Sequence, residues 1–471
     1  MEITIKNIII FNIEMNITVL KFGGSSQCEA GLQVILQKTR EYLAKGESLI
    51  FVISAVGKTT NNLYSVVTGN YSVYETIFQE HKALCEKVSV DFEPVSKKLS
   101  ELSELIEKFK IITETLKDFS SNLSSSTYNI KLSIISYGEI LSSLIVHLYV
   151  EKYLETEYYD VKKLIHNVNS SDTIDAQTLN IKGEFYCKPS ENLILIQKLI
   201  TKPHIPIITQ GFIASTSDNK VCILTRSGSN TSASLIANAV NASRLEIWTD
   251  VSGLFTCDPR KVSTAQVIKS VNYSVCQEAA AMGSQIIHPF SIKPCEEKSI
   301  PIHIKNTFKP DDLGTIITRT PDLKNSVHLI STQSGVSIFE ITSMDMWEGY
   351  GFVYDIFKSF NEEKIDVNII TTSQFTISTT TNEKSQVKIN NLLSILREKY
   401  TVKVISNCTI VSIIANDVKN NEQIQKIHNY INPGEPVHMI HYGSNNFTLS
   451  YVVNESYGTE LMKIFHSILI K

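Results

Sequence analysis

The chain has 471 residues, 20% of them charged, and a formal net charge of −4 at pH 7. This length is enough for roughly two to four domains with cores of their own. The near-neutral charge excludes the basic field of a protein that binds nucleic acid, and no apolar run reaches the roughly 18 residues that span a bilayer, so we expect neither a nucleic-acid nor a membrane partner.

The 8 cysteines are scattered, without a Cys-x-x-Cys pair or neighbouring histidine pairs. This pattern favours reduced thiols in the cytoplasm over a disulfide scaffold or a zinc site. The first residues lack the features of a signal peptide, and the first convincing strand follows Met15. We therefore expect residues 1–15 to be an N-terminal extension.

The first predicted strand, residues 17–20, runs into the motif Lys21-Phe-Gly-Gly-Ser-Ser26, and a helix is predicted over residues 29–43. The two glycines let a ligand approach the backbone closely, and the Lys21 ammonium can lie over phosphate oxygens. Because the lysine precedes the glycines, this is not a Walker motif. An ordinary strand-turn-helix corner explains the same string, so both interpretations stay open at this point.

A second buried strand, residues 49–53, is followed by the small and hydroxyl residues of Ser54-Ala-Val-Gly-Lys-Thr-Thr-Asn61. Two such strand ends, side by side in a parallel sheet, form the crevice in which ligands of open α/β sheets bind. The charged pattern over residues 73–123 predicts a helical lid or insertion. Glu139 is predicted at the start of a helix over residues 140–148, where it either complements the helix dipole or binds a cationic group such as an amine.

A strand over residues 221–224 leads into the turn Arg226-Ser-Gly-Ser229 and a helix that Asn230 and Thr231 are expected to cap. Free N–H groups at a helix N-terminus, with an arginine beside them, suit a carboxylate or phosphate. The alternative is an ordinary capped helix after a loop.

A strand over residues 244–249 ends in Asp250, and a loop with Asp258 and Arg260 follows. Such a loop can hold a ribose and phosphates, although Asp-Pro-Arg is also a good turn sequence. The remaining elements predicted before residue 320 are strands over residues 205–208, 301–305 and 314–317 and a helix over residues 275–282.

Beyond about residue 325 the pattern strand, helix, strand, strand, helix occurs twice. This order predicts a ferredoxin-like tandem repeat that serves as a binding or dimerising module. The predicted elements are residues 336–341, 351–360, 367–370, 375–379 and 387–400, and then 409–414, 422–430, 437–440, 447–453 and 459–471.

Taken in order, the motifs resemble those of the aspartate kinases of the amino-acid kinase superfamily, from Ile17 to the end of the chain. The resemblance implies an α/β amino-acid kinase fold, a mostly parallel open sheet with helices on both faces, followed by two ferredoxin-like βαββ ACT units. The implied domains are residues 16–322 (catalytic), 323–405 and 406–471 (ACT). The matching strings include Lys21-Phe-Gly-Gly-Ser-Ser26, Gly138-Glu139, Gln210-Gly-Phe212, Arg226-Ser-Gly-Ser229, Trp248-Thr-Asp-Val-Ser-Gly253, Asp258-Pro-Arg260 and Val367-Asn-Ile-Ile-Thr-Thr-Ser373.

The implied reaction is transfer of the ATP γ-phosphoryl group to the β-carboxylate of L-aspartate, the first step of aspartate-family amino-acid biosynthesis. ATP and Mg²⁺ are the implied cofactors, and the protein itself is expected to supply no metal site. A carboxylate is already ionised at pH 7, so the reaction needs positioning and charge neutralisation and no general base. A cytoplasmic homodimer joined through the ACT units is expected.

The resemblance also implies the site residues, which fall into four groups. The catalytic group is Lys21, Gly23, Gly24 and Asn230, and the aspartate-binding group is Ser54, Thr60, Glu139, Arg226 and Ser229. The ATP-binding group is Lys21, Thr249, Asp250, Phe255, Arg260 and Gln285. The candidate amino-acid effector group is Met346, Gly349, Phe352, Asn368, Thr372 and Ser373.

The sequence departs from the family pattern at several of these positions. Asn230 stands where the family has Asp, and Gln285 stands where a lysine is usual. Asn368 and Gln374 replace two acids around the lysine effector of lysine-sensitive members, so strong inhibition by lysine is not expected. Two alternatives to an aspartate kinase stay open, which are a kinase of another small carboxylic acid and a weakly active or non-catalytic amino-acid sensor.

Overall fold

The computed structural model describes residues 16–115, 125–175, 179–181, 183–224, 227–283, 287–320, 327–347, 349–443 and 446–470. By compactness the chain divides into two units. The first comprises Met1–Leu254 and Ile287–Pro321, and the second comprises Phe255–Ile286 and Asp322–Lys471. The predicted extension, residues 1–15, lies outside the described residues.

The strands of both units are numbered in chain order. In the first unit they alternate with helices, as the sequence predicts for an α/β fold. In chain order the strands are β1 (Ile17–Phe22), β2 (Ser48–Ile53), β3 (Glu157–Tyr159), β4 (Ile165–Asn167), β5 (Phe185–Cys187), β6 (Ile207–Gln210), β7 (Ile213–Ser215), β8 (Val221–Ile223), β9 (Arg244–Thr249), β10 (Ser270–Asn272), β11 (Ile302–Asn306), β12 (Thr315–Thr318), β13 (Val327–Thr342), β14 (Ile370–Thr372), β15 (Thr376–Thr381), β16 (Thr401–Ala415), β17 (Val437–Tyr442) and β18 (Thr448–Asn454).

The helices are numbered in the same way. They are α1 (Glu29–Ala44), α2 (Thr59–Val67), α3 (Val73–Lys87), α4 (Glu93–Thr115), α5 (Ser125–Glu151), α6 (Val161–Leu164), α7 (Pro189–Thr201), α8 (Gly228–Ala239), α9 (Tyr273–Ala281), α10 (Lys293–Glu297), α11 (Phe352–Glu362), α12 (Gln386–Arg397), α13 (Glu422–Gln425) and α14 (Glu455–Leu469). Short 3₁₀ turns occur at Gly24–Ser26, Ser171–Thr173, Pro289–Ser291, Met344–Met346 and Ile427–Tyr430.

The main sheet of the first unit runs in the order β12-β11-β9-β1-β2-β6-β3. Its strands are parallel except β12, which is antiparallel to β11. Every residue of β1 and β2 is buried, as expected of apolar runs in a sheet covered by helices, and α1, α5 and α8 pack against these central strands. The predicted parallel α/β architecture is confirmed.

The strand order reverses direction at β1. The chain passes from β1 to β2 on one side and later places β9 on the other side of β1. At such a reversal the loops leave the carboxyl ends of the two strands in opposite directions and open a crevice. The main sheet therefore has its expected ligand site at the ends of β1 and β9.

A second, smaller sheet joins β5, β4, β7 and β8. The sequence predicts only a polar stretch where β4 and β5 occur. Strands of three residues are too short to carry a readable alternation of polar and apolar residues.

Helix α5 begins at Ser125, 15 residues before the helix predicted over residues 140–148. The expected helix start at Glu139 is therefore wrong. The segment Thr127–Glu151 is long and apolar enough to cross a membrane by length and composition, with a mean hydropathy of 1.4 in its most apolar window. However, 72% of that window is buried inside the protein, as in the core helix of a globular domain.

The second unit is built on an antiparallel sheet in the order β14-β15-β13-β16-β18-β17. β13 and β16 have 16 and 15 residues, far more than predicted, and they pair along both of their halves. One hydrophobic cluster packs α11 and α12 on one half of the sheet, and another packs α14 on the other half. The predicted boundary between residues 405 and 406 falls inside β16, so the proposed division into two consecutive ACT domains stays a prediction.

Candidate active site

Five of the loops that follow the carboxyl ends of parallel strands in the main sheet bear on the candidate site. They begin after β1, β2, β6, β9 and β11. Because the strands are parallel, these loops lie at one edge of the sheet. Several predicted site residues lie on these loops or at the ends of the adjoining elements. Glu139 reaches the loop after β2 from α5, and Ser229 and Asn230 lie in the first turn of α8. The loops carry Gly23, Gly24, Ser54 and Asp250, while Lys21, Thr249 and Thr60 lie in the ends of β1, β9 and α2.

The glycine turn after β1 lies close to its neighbours on both sides. The Gly23 N–H donates to the Trp248 carbonyl at 3.0 Å, and the Gly57 N–H donates to the Gly24 carbonyl at 3.0 Å. A Cβ on Gly24 would lie 2.9 Å from the Ala55 carbonyl oxygen. A side chain at position 24 would therefore push the loops after β1 and β2 apart.

Lys21 is a buried cation at the end of β1, with 8% of its surface exposed. Its ammonium nitrogen lies 3.4 Å from the position that a Cβ on Gly23 would occupy, so it is adjacent to the glycine turn. Burial lowers the pKa of Lys21 to about 8, against the opposing effect of the Glu139 and Asp250 carboxylates. Lys21 is therefore still mainly protonated at pH 7.

Glu139 extends from the middle of α5 towards the loop after β2. Its Oε1 accepts from the Ala55 N–H and from the Thr60 hydroxyl, each at 3.4 Å. Its Oε2 is buried and has no hydrogen-bond partner in the described part of the chain. Burial raises the pKa of Glu139 to about 8, although hydrogen bonds from Ala55 and Thr60 and the charge of Lys21 oppose this rise.

Gly138 explains how Glu139 reaches the loop from inside a helix. A Cβ at position 138 would lie 3.0 Å from the Ala55 Cβ and 3.4 Å from the Thr60 hydroxyl oxygen. Glycine in a helix interior costs up to about 1 kcal/mol relative to alanine, but here it permits the close approach. The Gly-Glu pair predicts a helix start in the sequence because glycine usually marks a helix boundary.

Helix α8 begins at Gly228, and Ser227 precedes it in a left-handed conformation with φ 59° and no side-chain cap. The predicted capping by Asn230 and Thr231 is therefore wrong, since both lie inside the helix. The Asn230 side chain is buried, and its Oδ1 has no partner among the described residues. Ser229 packs against the loop after β6, where a Cβ on Gly211 would lie 2.6 Å from the Ser229 Cβ.

The loops after β9 and β11 add hydroxyl groups and one acid. The Thr249 hydroxyl donates to the exposed Asp250 carboxylate at 3.1 Å. The hydroxyls of Ser26 and Thr307 are 2.7 Å apart, which ties the end of the glycine turn to the loop after β11. The motifs that contain Gly138 and Gly211 are recognised in the sequence, but the close contacts that these glycines permit are seen only in the structure.

Two predicted ATP-binding residues belong to the second unit. The backbone of Phe255 forms an isolated bridge with Val267. Arg260 is 85% exposed at its side chain and pairs with Asp258 through two hydrogen bonds of 3.0 Å. The roles of Phe255 and Arg260 at a nucleotide stay predictions, and Arg226 and Gln285 lie outside the described residues.

The predicted effector residues also lie in the second unit. The Gly349 N–H donates to the Met346 carbonyl at 3.3 Å, and a Cβ on Gly349 would lie 2.3 Å from the Phe352 ring, so these three residues are neighbours. Asn368 precedes β14, which contains Thr372. The Nδ2 of Asn368 is buried without a partner in the described structure.

The arrangement in the first unit suits the binding of a small zwitterion beside an anion. A buried ammonium adjacent to a glycine turn can neutralise phosphoryl oxygens. A buried carboxyl group with an unpartnered oxygen can accept from a substrate amine. Neutralising phosphoryl oxygens and binding an amine require neither a nucleophilic triad nor a metal cluster.

Comparison with known proteins agrees with this chemistry. The sequence profile of the amino acid kinase family matches residues 16–306, more than half of the chain. The lysine-sensitive aspartokinase 3 of Escherichia coli is 26% identical over 471 residues, which cover 97% of this chain and 99% of that protein. The chloroplastic aspartokinase 2 of Arabidopsis thaliana is 26% identical over 472 residues, which cover 95% of this chain and 83% of that protein.

Among solved structures, Escherichia coli aspartokinase III in complex with aspartate and ADP superposes with a TM-score of 0.77 and 22% sequence identity. The superposition covers 97% of this chain and all of that chain (100%). It confirms the predicted fold class, including the antiparallel sheet of the second unit. Because the family profile also extends over most of the first unit, this chain belongs to the amino acid kinase family.

Proposed function

We propose that this protein is an aspartate kinase, which transfers the γ-phosphoryl group of ATP to the β-carboxylate of L-aspartate and forms 4-phospho-L-aspartate. The observation that carries the proposal is the pair Lys21 and Glu139, a buried cation and a buried carboxyl group at one edge of the main sheet. Full-length similarity to aspartokinases supports the choice of aspartate among small carboxylic acids.

Lys21 acts on the phosphoryl group. Its ammonium lies adjacent to the glycine turn, where backbone N–H groups and a cation together stabilise charge on transferring oxygens. Because the ammonium is buried, its electric field is screened less by water than that of a surface lysine. Its protonated form is the active one, and it prevails below the pKa of about 8.

Glu139 acts on the substrate amine. In the unliganded site its pKa of about 8 means that the carboxyl group is mainly neutral at pH 7. An ammonium group that approaches the unpartnered Oε2 favours the ionised carboxylate, so binding of aspartate releases a proton from Glu139. The α-carboxylate of aspartate is assigned to Arg226 by the family resemblance, and Ser54 and Ser229 complete the proposed binding group.

The acceptor carboxylate needs no general base, because it is ionised at neutral pH. The chemical work is alignment of the two reactants and neutralisation of phosphoryl charge. Mg²⁺ is normally held by substrate phosphates together with one or two carboxylates. Asp250, an exposed acid at the end of β9, fits that requirement, and Mg²⁺ would add charge neutralisation on the phosphates.

The second unit is proposed to join two copies of the chain and to bind a small amino-acid effector. Large apolar side chains are exposed on α11 and just before it, including Trp347 at 49%, Tyr350 at 98% and Tyr354 at 68%. Contiguous exposed apolar side chains of this size favour a protein interface. Sedimentation of the wild type and of Tyr354→Asp tests this, and a monomeric wild type contradicts it.

In the proposed effector region, Asn368 and Gln374 stand where lysine-sensitive members of the family have two acids. We therefore expect weak inhibition by lysine at most. The eight cysteines are all free, which is consistent with a cytoplasmic enzyme, the location that we propose.

The test of the proposed activity is an assay with ATP, Mg²⁺, aspartate and hydroxylamine, in which an acyl phosphate is trapped as the hydroxamate. The wild type should form aspartyl hydroxamate, and Lys21→Met should not. A panel with glutamate, succinate and acetate distinguishes a kinase of another carboxylic acid. No hydroxamate from any acid would reject a kinase, and the double variant Asn230→Asp, Gln285→Lys would then test a sensor derived from one.

A further inference from the structure

We propose that Gln27 is a positioning residue for the phosphoryl-transfer step, because its side-chain amide fixes the orientation of the glycine turn beside Lys21. This inference rests on the proposed kinase function. Gln27 is not part of any motif quoted above, and it follows the turn Gly24–Ser26 directly.

The Gln27 amide lies inside the turn. Its side chain is 3% exposed, and its Nε2 donates to the Phe22 carbonyl at 3.4 Å and to the Gly23 carbonyl at 3.3 Å. These are the carbonyls of two consecutive peptide groups. A single buried amide therefore restrains both peptide planes that link Phe22 to Gly24.

The backbone of Gln27 is itself held firmly. Its N–H donates to the Gly24 carbonyl at 3.1 Å, and α1 begins two residues later. The first turn of α1 packs directly on the glycine turn, since a Cβ on Gly31 would lie 1.8 Å from the Ser26 carbonyl oxygen. Gln27 thus transmits the position of a rigid helix to the turn.

The orientation matters because of peptide geometry. In a planar trans peptide the C=O and N–H groups point in opposite directions. When the Gly23 carbonyl points to the Gln27 amide and to the Ser26 N–H, the Gly24 N–H must point away from both. The Gly24 N–H donates to no other described residue, so it is available to a phosphoryl oxygen next to the Lys21 ammonium.

The neighbouring peptide is restrained as well. The Gly23 N–H is bound by the Trp248 carbonyl, while the Phe22 carbonyl accepts from the Ser54 N–H at 3.2 Å and from Gln27. The turn would remain attached at these points without Gln27. The amide adds a second restraint, beside the Ser26 N–H, on the rotation of the peptide between Gly23 and Gly24. A modest rotation of this peptide redirects the Gly24 N–H, a donor that acts mainly in the transition state.

The Gln27 Oε1 is also buried, and it has no partner among the described residues. A buried amide oxygen without a hydrogen-bond partner lowers the stability of the fold. Replacing Gln27 by an apolar residue of similar length therefore should not destabilise the fold greatly. A loss of activity in such a variant can then be attributed to the missing hydrogen bonds and not to unfolding.

The test compares Gln27→Met with the wild type and with Thr39→Val. Methionine has nearly the same length and cannot donate. Thr39 is a matched control because its buried hydroxyl also donates to a backbone carbonyl, that of Ile35 at 2.7 Å, but it lies farther along α1. Steady-state kinetics with hydroxamate detection give kcat and the KM for aspartate, and thermal melting reports folding.

For Gln27→Met we expect kcat to fall about tenfold, the size of effect that weak hydrogen bonds to a preorganised donor can carry, with KM for aspartate within about twofold of the wild type. Thr39→Val should leave both constants unchanged. Equal kcat in Gln27→Met and the wild type would overturn the inference, and so would a parallel rise in KM for aspartate.

If Gln27→Met does not fold, Gln27→Asn replaces it, since the shorter amide cannot reach both carbonyls and should give the same kinetic pattern. Failure of the proposed function is a separate result. In that case the wild type itself forms no hydroxamate, whereas failure of this inference leaves an active wild type and an equally active variant.

Discussion

Lys21→Met should abolish activity and yet stabilise the fold. The wild-type lysine is buried, and burial holds its pKa at about 8 instead of 10.5. At 1.36 kcal/mol per pKa unit, this difference means that burial of the charge destabilises the folded protein by about 3 kcal/mol at neutral pH. Methionine fills a similar volume without that charge. Allowing for lost contacts, we expect the free energy of unfolding to rise by about 1–3 kcal/mol at pH 7.

The pH dependence identifies the cause. Because the pKa of Lys21 is lower in the folded than in the unfolded state, the unfolded chain binds more protons between about pH 8 and 10.5. Wild-type stability therefore gains from this group as the pH rises through that window. The advantage of Lys21→Met should be complete below about pH 8 and should disappear towards pH 10.5.

Thermal melts at pH 7 and pH 10 measure this, with Lys38→Met as the matched control. Lys38 is another buried lysine of the first unit, but it forms an ion pair with Glu41 at 2.7 Å. Its loss should leave activity intact and give no stabilisation. For Lys21→Met, the rate of hydroxamate formation should fall by about 10²–10³ or more. A lower melting temperature for Lys21→Met at pH 7, or an equal gain at both pH values, would refute the reasoning.

Three further predictions concern the same site. Gly24→Ala should reduce kcat more than tenfold, because its Cβ would lie 2.9 Å from the Ala55 carbonyl oxygen, whereas Gly434→Ala, with its nearest contact at 3.5 Å, should be neutral in the hydroxamate assay. Glu139→Gln should raise the KM for aspartate roughly 10- to 100-fold with a smaller change in kcat, and an unchanged KM would remove Glu139 from the amine site. Binding of aspartate to the wild type at pH 7 should release up to one proton from Glu139, since its pKa of about 8 falls when an ammonium binds; calorimetry in buffers of different ionisation enthalpy measures this, and Glu139→Gln should release none.

The sequence predicts the central strands well because their signal is local. β1 and β2 are mostly apolar and are followed by glycine or hydroxyl residues, and β9 has the predicted bounds, residues 244–249. The ends of these strands and the loops that follow them carry Lys21, Gly23, Gly24, Ser54, Thr249 and Asp250. A run of buried residues and its polar end can be read without knowing which strands are neighbours.

The features that the sequence does not reveal depend on contacts between distant segments. In the sequence Gly138 resembles a helix boundary, and only the structure shows that it lets the loop at Ala55 approach the helix closely. The start of α8 is preceded by Ser227, which adopts the left-handed conformation although it is not glycine, so the sequence does not reveal that Asn230 lies inside the helix. The length of β13 is hidden because the polar run Ser331-Thr-Gln-Ser-Gly335 interrupts its apolar pattern, and only its pairing with β16 shows that it continues.

The unpartnered atoms of the site join these two kinds of information. Glu139 Oε2 and Asn230 Oδ1 are both buried without partners in the described structure. A buried polar atom without a partner costs about 1–3 kcal/mol. Both atoms can accept hydrogen bonds, so a ligand that brings donors, such as an ammonium group with its hydration water, recovers the lost stability on binding. The site is therefore less stable empty than occupied, and aspartate should raise the melting temperature of the wild type more than that of Glu139→Gln.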